Sequence, residues 1–160
     1  MEKLNTVLWF DKGQAREAAE FYAATFPDSH VNSGVAAPGD YPSGQAGDEI
    51  LVEFTVLGRP FQGLNGGPTF RPNEAVSFMV VTEDQAETDR YWDAIVSAGG
   101  QASDCGWCKD RWGFSWQITP RILMEALAAG GAKAERAFAA MSTMQKLDVA
   151  AIEAARRGDG

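Results

Sequence analysis

From Leu4 to Phe10 the chain reads LNTVLWF, with Asn5, Val7 and Trp9 falling on one face of an extended segment and Leu4, Thr6, Leu8 and Phe10 on the other, the period of a strand. The period then lengthens. In QAREAAEFYAATF (14–26), Ala15, Ala18, Ala19, Tyr22 and Phe26 recur along one helical stripe, and Pro27, Asp28 and Ser29 end it. Three strands are expected next: about 29–37; 49–57, where Ile50, Val52, Phe54 and Val56 alternate; and 60–65, after a turn at Gly58.

The order β-α-β-β-β then recurs. Val76 to Val81 has the pattern of a strand, about Asp84 to Ala98 that of a helix stopped by Gly99-Gly100, and short strands are expected within 101–119. Gln14-Ala15 and Gln85-Ala86, like Phe21 and Trp92, stand 71 positions apart, and together with the element order this implies an internal duplication. Beyond Pro120 the chain turns Ala-rich and helical, with Leu127, Phe138, Met141 and Met144 as apolar contacts and Asp148 as the expected N-cap of a last helix, Val149 to Arg157. The expected organisation is a single domain, 1–160: module one at about 1–67, module two at about 73–119 and C-terminal helices at about 120–157. The Gly/Pro/Ser-rich stretch from Ala37 to Gly47 is expected to be a surface loop.

Composition narrows the function classes. An apolar content of 45% over 160 residues suits a globular chain with its own core. A net charge of -8, from 14 basic and 22 acidic side chains, repels a phosphate backbone, so no nucleic-acid partner is expected. No apolar run approaches the roughly 18 residues of a membrane span, and the polar MEKLNTVLWF does not resemble a signal peptide, so a cytoplasmic protein without membrane contact is expected. Two cysteines, Cys105 and Cys108, cannot staple distant parts of a fold.

In DCGWCKDRWGFSWQ (104–117) the Cys-Gly-x-Cys element suggests either a redox dithiol or a tight turn. A thioredoxin-type dithiol sits at a helix N-terminus, which lowers the first thiol's pKa. Here a turn and a strand follow instead. The favoured reading is a strand end, with Trp107 packed near Trp116 and Cys108 as a small apolar filler.

The duplicated unit resembles the vicinal oxygen chelate superfamily of glyoxalases, bleomycin-resistance proteins and extradiol dioxygenases. The strings LWF, AREAAEFY, FQGLNGGP, SFMV, DQAETDRYW, CGW, KDRWGFSWQITP and KLDVAAIEAA look like its PhnB-like branch, labelled 3-demethylubiquinone-9 3-methyltransferase. The resemblance implies an α+β fold whose two βαβββ modules curl their sheets around a shared pocket for a small molecule, and a two-fold homodimer. In metal-using members the ion is held by a His on the first strand of each module and a Glu on the last. The matching positions here are Asn5, Ala75 and Gln117, with Gln62 matching an additional ligand. Neutral amides bind divalent cations weakly, so no metal and no cofactor is expected, and His30 is taken as an ordinary strand or surface residue. The residues do not support methyl transfer either: Gly63-Leu64-Asn65-Gly66-Gly67-Pro68 closes one strand and leads to another, with no helix N-terminus available for an anion.

With the sheets curled as implied, the inward set comprises Asn5, Val7, Trp9, Gln62, Ser77, Met79, Ser115 and Gln117, a mixture suited to a neutral or weakly polar organic ligand. A blander reading makes Trp9 and Met79 core and lets Asn5 and Gln117 bond to backbone. Glu53, Tyr41 and Asp110 are loose candidates for a general acid or base. Three functions follow: a small-molecule-binding or sequestering protein, a metal-independent lyase, isomerase or transferase, and a structural subunit with a vestigial pocket.

Overall fold

The computed structural model describes residues 3–159, in two compact units that divide between Pro72 and Asn73. The first contains β1 (Thr6–Phe10), α1 (Ala15–Thr25), β2 (His30–Ala36), β3 (Glu49–Val56) and β4 (Arg59–Asn65). Its sheet runs β1-β4-β3-β2, with β1 parallel to β4 and the other pairs antiparallel. The second contains β5 (Ser77–Thr82), α2 (Gln85–Ser97), β6 (Gln101–Ala102), β7 (Trp107–Lys109) and β8 (Ser115–Pro120). Its order, β5-β8-β7-β6, repeats the first, including the parallel pair of first and last strands. The repeat therefore lies in topology as well as in element order.

Each helix covers one face of its own sheet. Ala15, Ala18, Ala19 and Tyr22 of α1 are buried against Leu8, Phe10, Val52, Phe54 and Phe61. The alanines let this helix lie close, and Gly63 is required beneath it, because a Cβ there would come 2.8 Å from that of Ala15. In the second unit α2 buries Thr88, Tyr91, Trp92 and Ile95 over Val80, Trp116 and Ile118. The two buried helical sets correspond pair by pair at 73 positions, not 71. The matching Gln-Ala dipeptides misled because Ala15 is buried while Ala86 is exposed. Burial, not residue identity, marks the equivalent face. Leu4, expected on the same face as Leu8 and Phe10, is 85% exposed and precedes β1.

The helix starts are held in different ways. Asp84 and Asp148 cap their own helices, accepting from Glu87 N at 2.8 Å and Ala151 N at 2.9 Å. Gln14 at the start of α1 makes no side-chain cap; the Oδ1 of Asn65, at the end of β4, accepts the Ala15 N–H instead. The glycine-rich stretch thus does meet a helix N-terminus through tertiary contact, contrary to expectation, and the Asn65 amide fills it.

Three further helices follow: α3 (Arg121–Ala128), α4 (Gly131–Met141) and α5 (Val149–Arg157). Leu123, Ala126, Ala137, Leu147 and Ile152 form their core, with Met141 and Met144 packed against it, while Phe138 stays 57% exposed. Gln85 of α2 holds this segment at both ends of its amide, donating to Leu147 O at 3.1 Å and accepting from Val149 N at 2.7 Å. Among the described residues no helix is long and apolar enough to cross a membrane.

Candidate functional site

Covering one sheet face with a helix leaves the opposite face open. In the first unit that face carries Val7 and Trp9 from β1, Gln62 and Leu64 from β4, and Leu51, Glu53 and Thr55 from β3. Val7 pairs with Gln62 and Gln62 with Glu53, so these three side chains form one row across the strands. Beside the row lies a depression of about 300 Å³, lined by Asn5, Asn32, Glu53, Thr55, Pro60 and Gln62 with the backbone-adjacent Phe54 and Phe61. The edge strand is irregular at this point. Val31 pairs with Phe54 and Gly34 with Val52, so Asn32 and Ser33 together face the single residue Glu53, as in a β-bulge. Asn32 was missed in the sequence, although Asn-Ser-Gly inside a strand is itself a bulge signal.

Trp9 is half-buried and anchored. Its indole N–H donates to Gly67 O at 2.8 Å, its ring meets Phe70 edge-on at 4.9 Å, and a Cβ at Gly66 would lie 2.4 Å from the ring. The ring face, not the N–H, is what Trp9 can offer a ligand.

On the open face of the second unit, Gln117 Nε2 donates to Ser77 Oγ at 2.8 Å, and Met79 is 46% exposed beside them. Ser115 departs from its expected place in an open pocket. It is 1% exposed, and its Oγ has no hydrogen-bond partner among the described residues. Lys109, its register partner on β7, forms an ion pair with Glu74, ahead of β5, and this bridge spans β8 where Ser115 lies. Ser77 and Gln117 stay accessible while Ser115 is closed off.

Register also revises the metal-site correspondence. Val7 pairs with Gln62 as Met79 pairs with Gln117, so Asn5, two residues before Val7, corresponds to Ser77. Ala75, the expected counterpart, is an exposed turn residue whose N–H bonds to Asn73 Oδ1 at 2.9 Å. The resulting donors, Asn5, Gln62, Ser77 and Gln117, are all neutral amides or hydroxyls. Among the described residues no group of three or more His, Cys, Asp or Glu could hold an ion. Within each unit such donors bind a divalent metal weakly. His30 lies exposed at the start of β2, opposite Thr55.

The three loose acid–base candidates separate. Asp110 is buried, and its carboxylate accepts from the N–H groups of Trp112 and Phe114, each at 3.0 Å, and from Trp116 Nε1 at 2.9 Å. It closes the β7–β8 turn. Tyr41, doubly bonded to Gly44 through the backbone, lines a different cleft of about 500 Å³ with Lys12, Asp48 and Gly67. Only Glu53 belongs to the open sheet face.

The cysteine pair also resolves. Cys108 pairs with Trp116 on the core side of β7, and burial, with a smaller contribution from Asp110, pushes its thiol up to about 12. Trp107 pairs with Gln117 on the opposite face, so it does not pack near Trp116 as expected. Cys105 and Gly106 adopt positive φ of 59° and 82°. That conformation aims their N–H groups at Met144 O (2.7 Å) and Gln145 O (2.8 Å), and the Cys-Gly turn becomes a backbone hook for the C-terminal segment. Both thiols are free.

A family model described as 3-demethylubiquinone-9 3-methyltransferase matches residues 2–119. The chain is similar to the PhnB protein of Bacillus cereus, at 28% identity and a TM-score of 0.65 over 74% of this chain and 99% of that one. It also resembles protein PA1353 of Pseudomonas aeruginosa, at 17% identity and a TM-score of 0.60 over 75% and 98%. A gene product of Arabidopsis thaliana matches at 16% identity and a TM-score of 0.50 over 72% and 96%. No curated protein matches the chain. The family match ends one residue before the end of β8, short of α3 to α5 and the KLDVAAIEAA string. With its two four-stranded mixed sheets the α+β chain shares the fold of the Bacillus cereus PhnB protein.

Proposed function

The chain belongs to the 3-demethylubiquinone-9 3-methyltransferase family, and we propose that it is a small-molecule-binding protein of the glyoxalase/bleomycin-resistance type that needs no bound metal. One observation carries this reading. On each sheet the helix-free face sets a Gln from the last strand beside an apolar residue from the first, Gln62 beside Val7 and Gln117 beside Met79. A few directional amides within apolar surface are the usual lining of a site for an organic ligand. The filled start of α1, where Asn65 occupies the Ala15 N–H, leaves no free helix N-terminus there for the carboxylate of a methyl-donor cofactor.

A second reading, a metal-independent lyase, isomerase or transferase, is favoured by Glu53, the one carboxylate that lines the depression beside Asn5 and Gln62 and the natural general base of such a site. Thermal shift and tryptophan fluorescence against metabolites and aromatic antibiotics test both readings. A true ligand at a hundred times its Kd stabilises the protein by about 2.7 kcal/mol. Turnover of that ligand selects the enzyme; binding without turnover selects sequestration; no hit overturns the binding function. We further propose a cytoplasmic two-fold homodimer that covers exposed apolar positions of the C-terminal helices such as Phe138. Sedimentation of a monomer near 17.2 kDa at micromolar concentration would count against the dimer.

A further inference from the structure

Glu53 is half-buried, yet among the described residues its carboxylate makes no hydrogen bond or ion pair. Its polar neighbours in the depression are all neutral. Gln62 stands opposite it on β4, the β2 bulge brings Asn32 and Ser33 opposite it on the other side, and Asn5 and Thr55 complete the wall. The guanidinium of Arg16, on the helix-covered side of the sheet, is committed to Glu49, with Nε to Oε1 at 2.9 Å. His30, across from Thr55, stands exposed at the rim. A partly desolvated carboxylate without a counter-charge costs free energy that a bound cation recovers. The β2 bulge interrupts the ladder and brings an amide to the same spot, and bulges re-aim side chains beside binding sites.

We propose that the Glu53 depression seats the protonated amine of a small organic ligand. The ammonium ion-pairs with Glu53 and donates its remaining protons to the side-chain carbonyl oxygens of Gln62 and Asn32, because an ammonium carries three donors and no acceptor. At about 300 Å³ the depression holds a molecule of one ring and a short arm. This rests on the small-molecule-binding reading and deepens it by naming the ligand's chemical class.

The test uses benzylammonium as probe, with benzyl alcohol and benzoate as neutral and anionic counterparts, followed by NMR on the full chain at constant ionic strength. Benzylammonium is expected to shift saturably the backbone signals of Asn32, Glu53 and Gln62 and the side-chain amides of Asn32 and Gln62; the alcohol and benzoate leave them in place. Glu53→Gln weakens the benzylammonium Kd by about tenfold or more, the range expected on losing a charged hydrogen bond. Glu53→Asp retains more affinity than Glu53→Gln, and Gln62→Glu, which adds a second carboxylate, tightens it. Equal shifts with benzyl alcohol, or an unchanged Kd in a Glu53→Gln protein whose other signals are native, overturns the proposal. So does the absence of any benzylammonium shift. Library hits that are neutral or anionic and indifferent to Glu53→Gln also overturn it while leaving the binding function intact; a library without hits removes the binding function instead.

Discussion

Asn65 and Ala15 lie 50 residues apart in the chain and share a buried hydrogen bond of 3.0 Å, the side-chain oxygen of one accepting the first helical N–H of the other. The same amide donates to Glu49 O at 2.8 Å, so one side chain joins β4, β3 and the start of α1. Asn65→Ala removes both bonds and leaves a helix donor without its cap. Urea unfolding is expected to show a loss of about 1–3 kcal/mol. A change within about 0.5 kcal/mol, the range of ordinary surface substitutions, would contradict this role.

Gly106 carries the hook on the C-terminal helices. An added Cβ would meet Leu147 Cδ1 at 2.8 Å and Ile118 O at 3.0 Å, at a φ of 82° that suits glycine. Gly106→Ala is expected to cost about 2–4 kcal/mol, combining left-handed strain with overpacking. Cys105→Ala keeps the backbone hook and should stay near wild type. If the two variants unfold at the same urea concentration, the hook contributes nothing.

The Cys108 thiol gives a pH signature. Burial raises it from 9.0 to about 12 in the fold, so from pH 9 upward the unfolded chain releases a proton that the folded chain keeps. Its contribution is therefore complete below pH 9 and declines as pH rises toward 12, by at most about 1.4 kcal/mol per unit. Cys108→Ala should flatten this alkaline decline relative to wild type. In native protein at pH 8, a thiol reagent should modify half-buried Cys105 before Cys108; equal rates would refute the buried position.

Neutral donors at Asn5, Gln62, Ser77 and Gln117 set an expectation for metal content. Elemental analysis of purified protein should show no stoichiometric zinc, nickel, manganese or iron, and chelator should leave Tm unchanged. About one ion per chain, or a Tm lowered by chelator, would show that other groups supply a site.

The sequence by itself determined what is local and periodic. The buried stripe Ala15, Ala18, Ala19 and Tyr22, the strand through Val52, Phe54 and Val56, and the Asp148 cap of α5 each follow from neighbours within a few residues. The repeat was legible too, because both units use the same element order. Tertiary structure alone decided the rest, since a side chain's face and company depend on which strands pair and in what register, and a one-residue slip reverses every face. Register placed Trp107 beside Gln117 and Cys108 beside Trp116, and made Ser77 rather than Ala75 the counterpart of Asn5. An edge-strand bulge brought Asn32 to Glu53, and an ion pair reaching across β8 accompanied the closure of Ser115. Asn65 became a helix cap only because β4 ends where α1 begins. These contacts join different elements, from 8 positions apart at Cys108 and Trp116 to 50 at Ala15 and Asn65, and no periodicity within either segment encodes the distance between them.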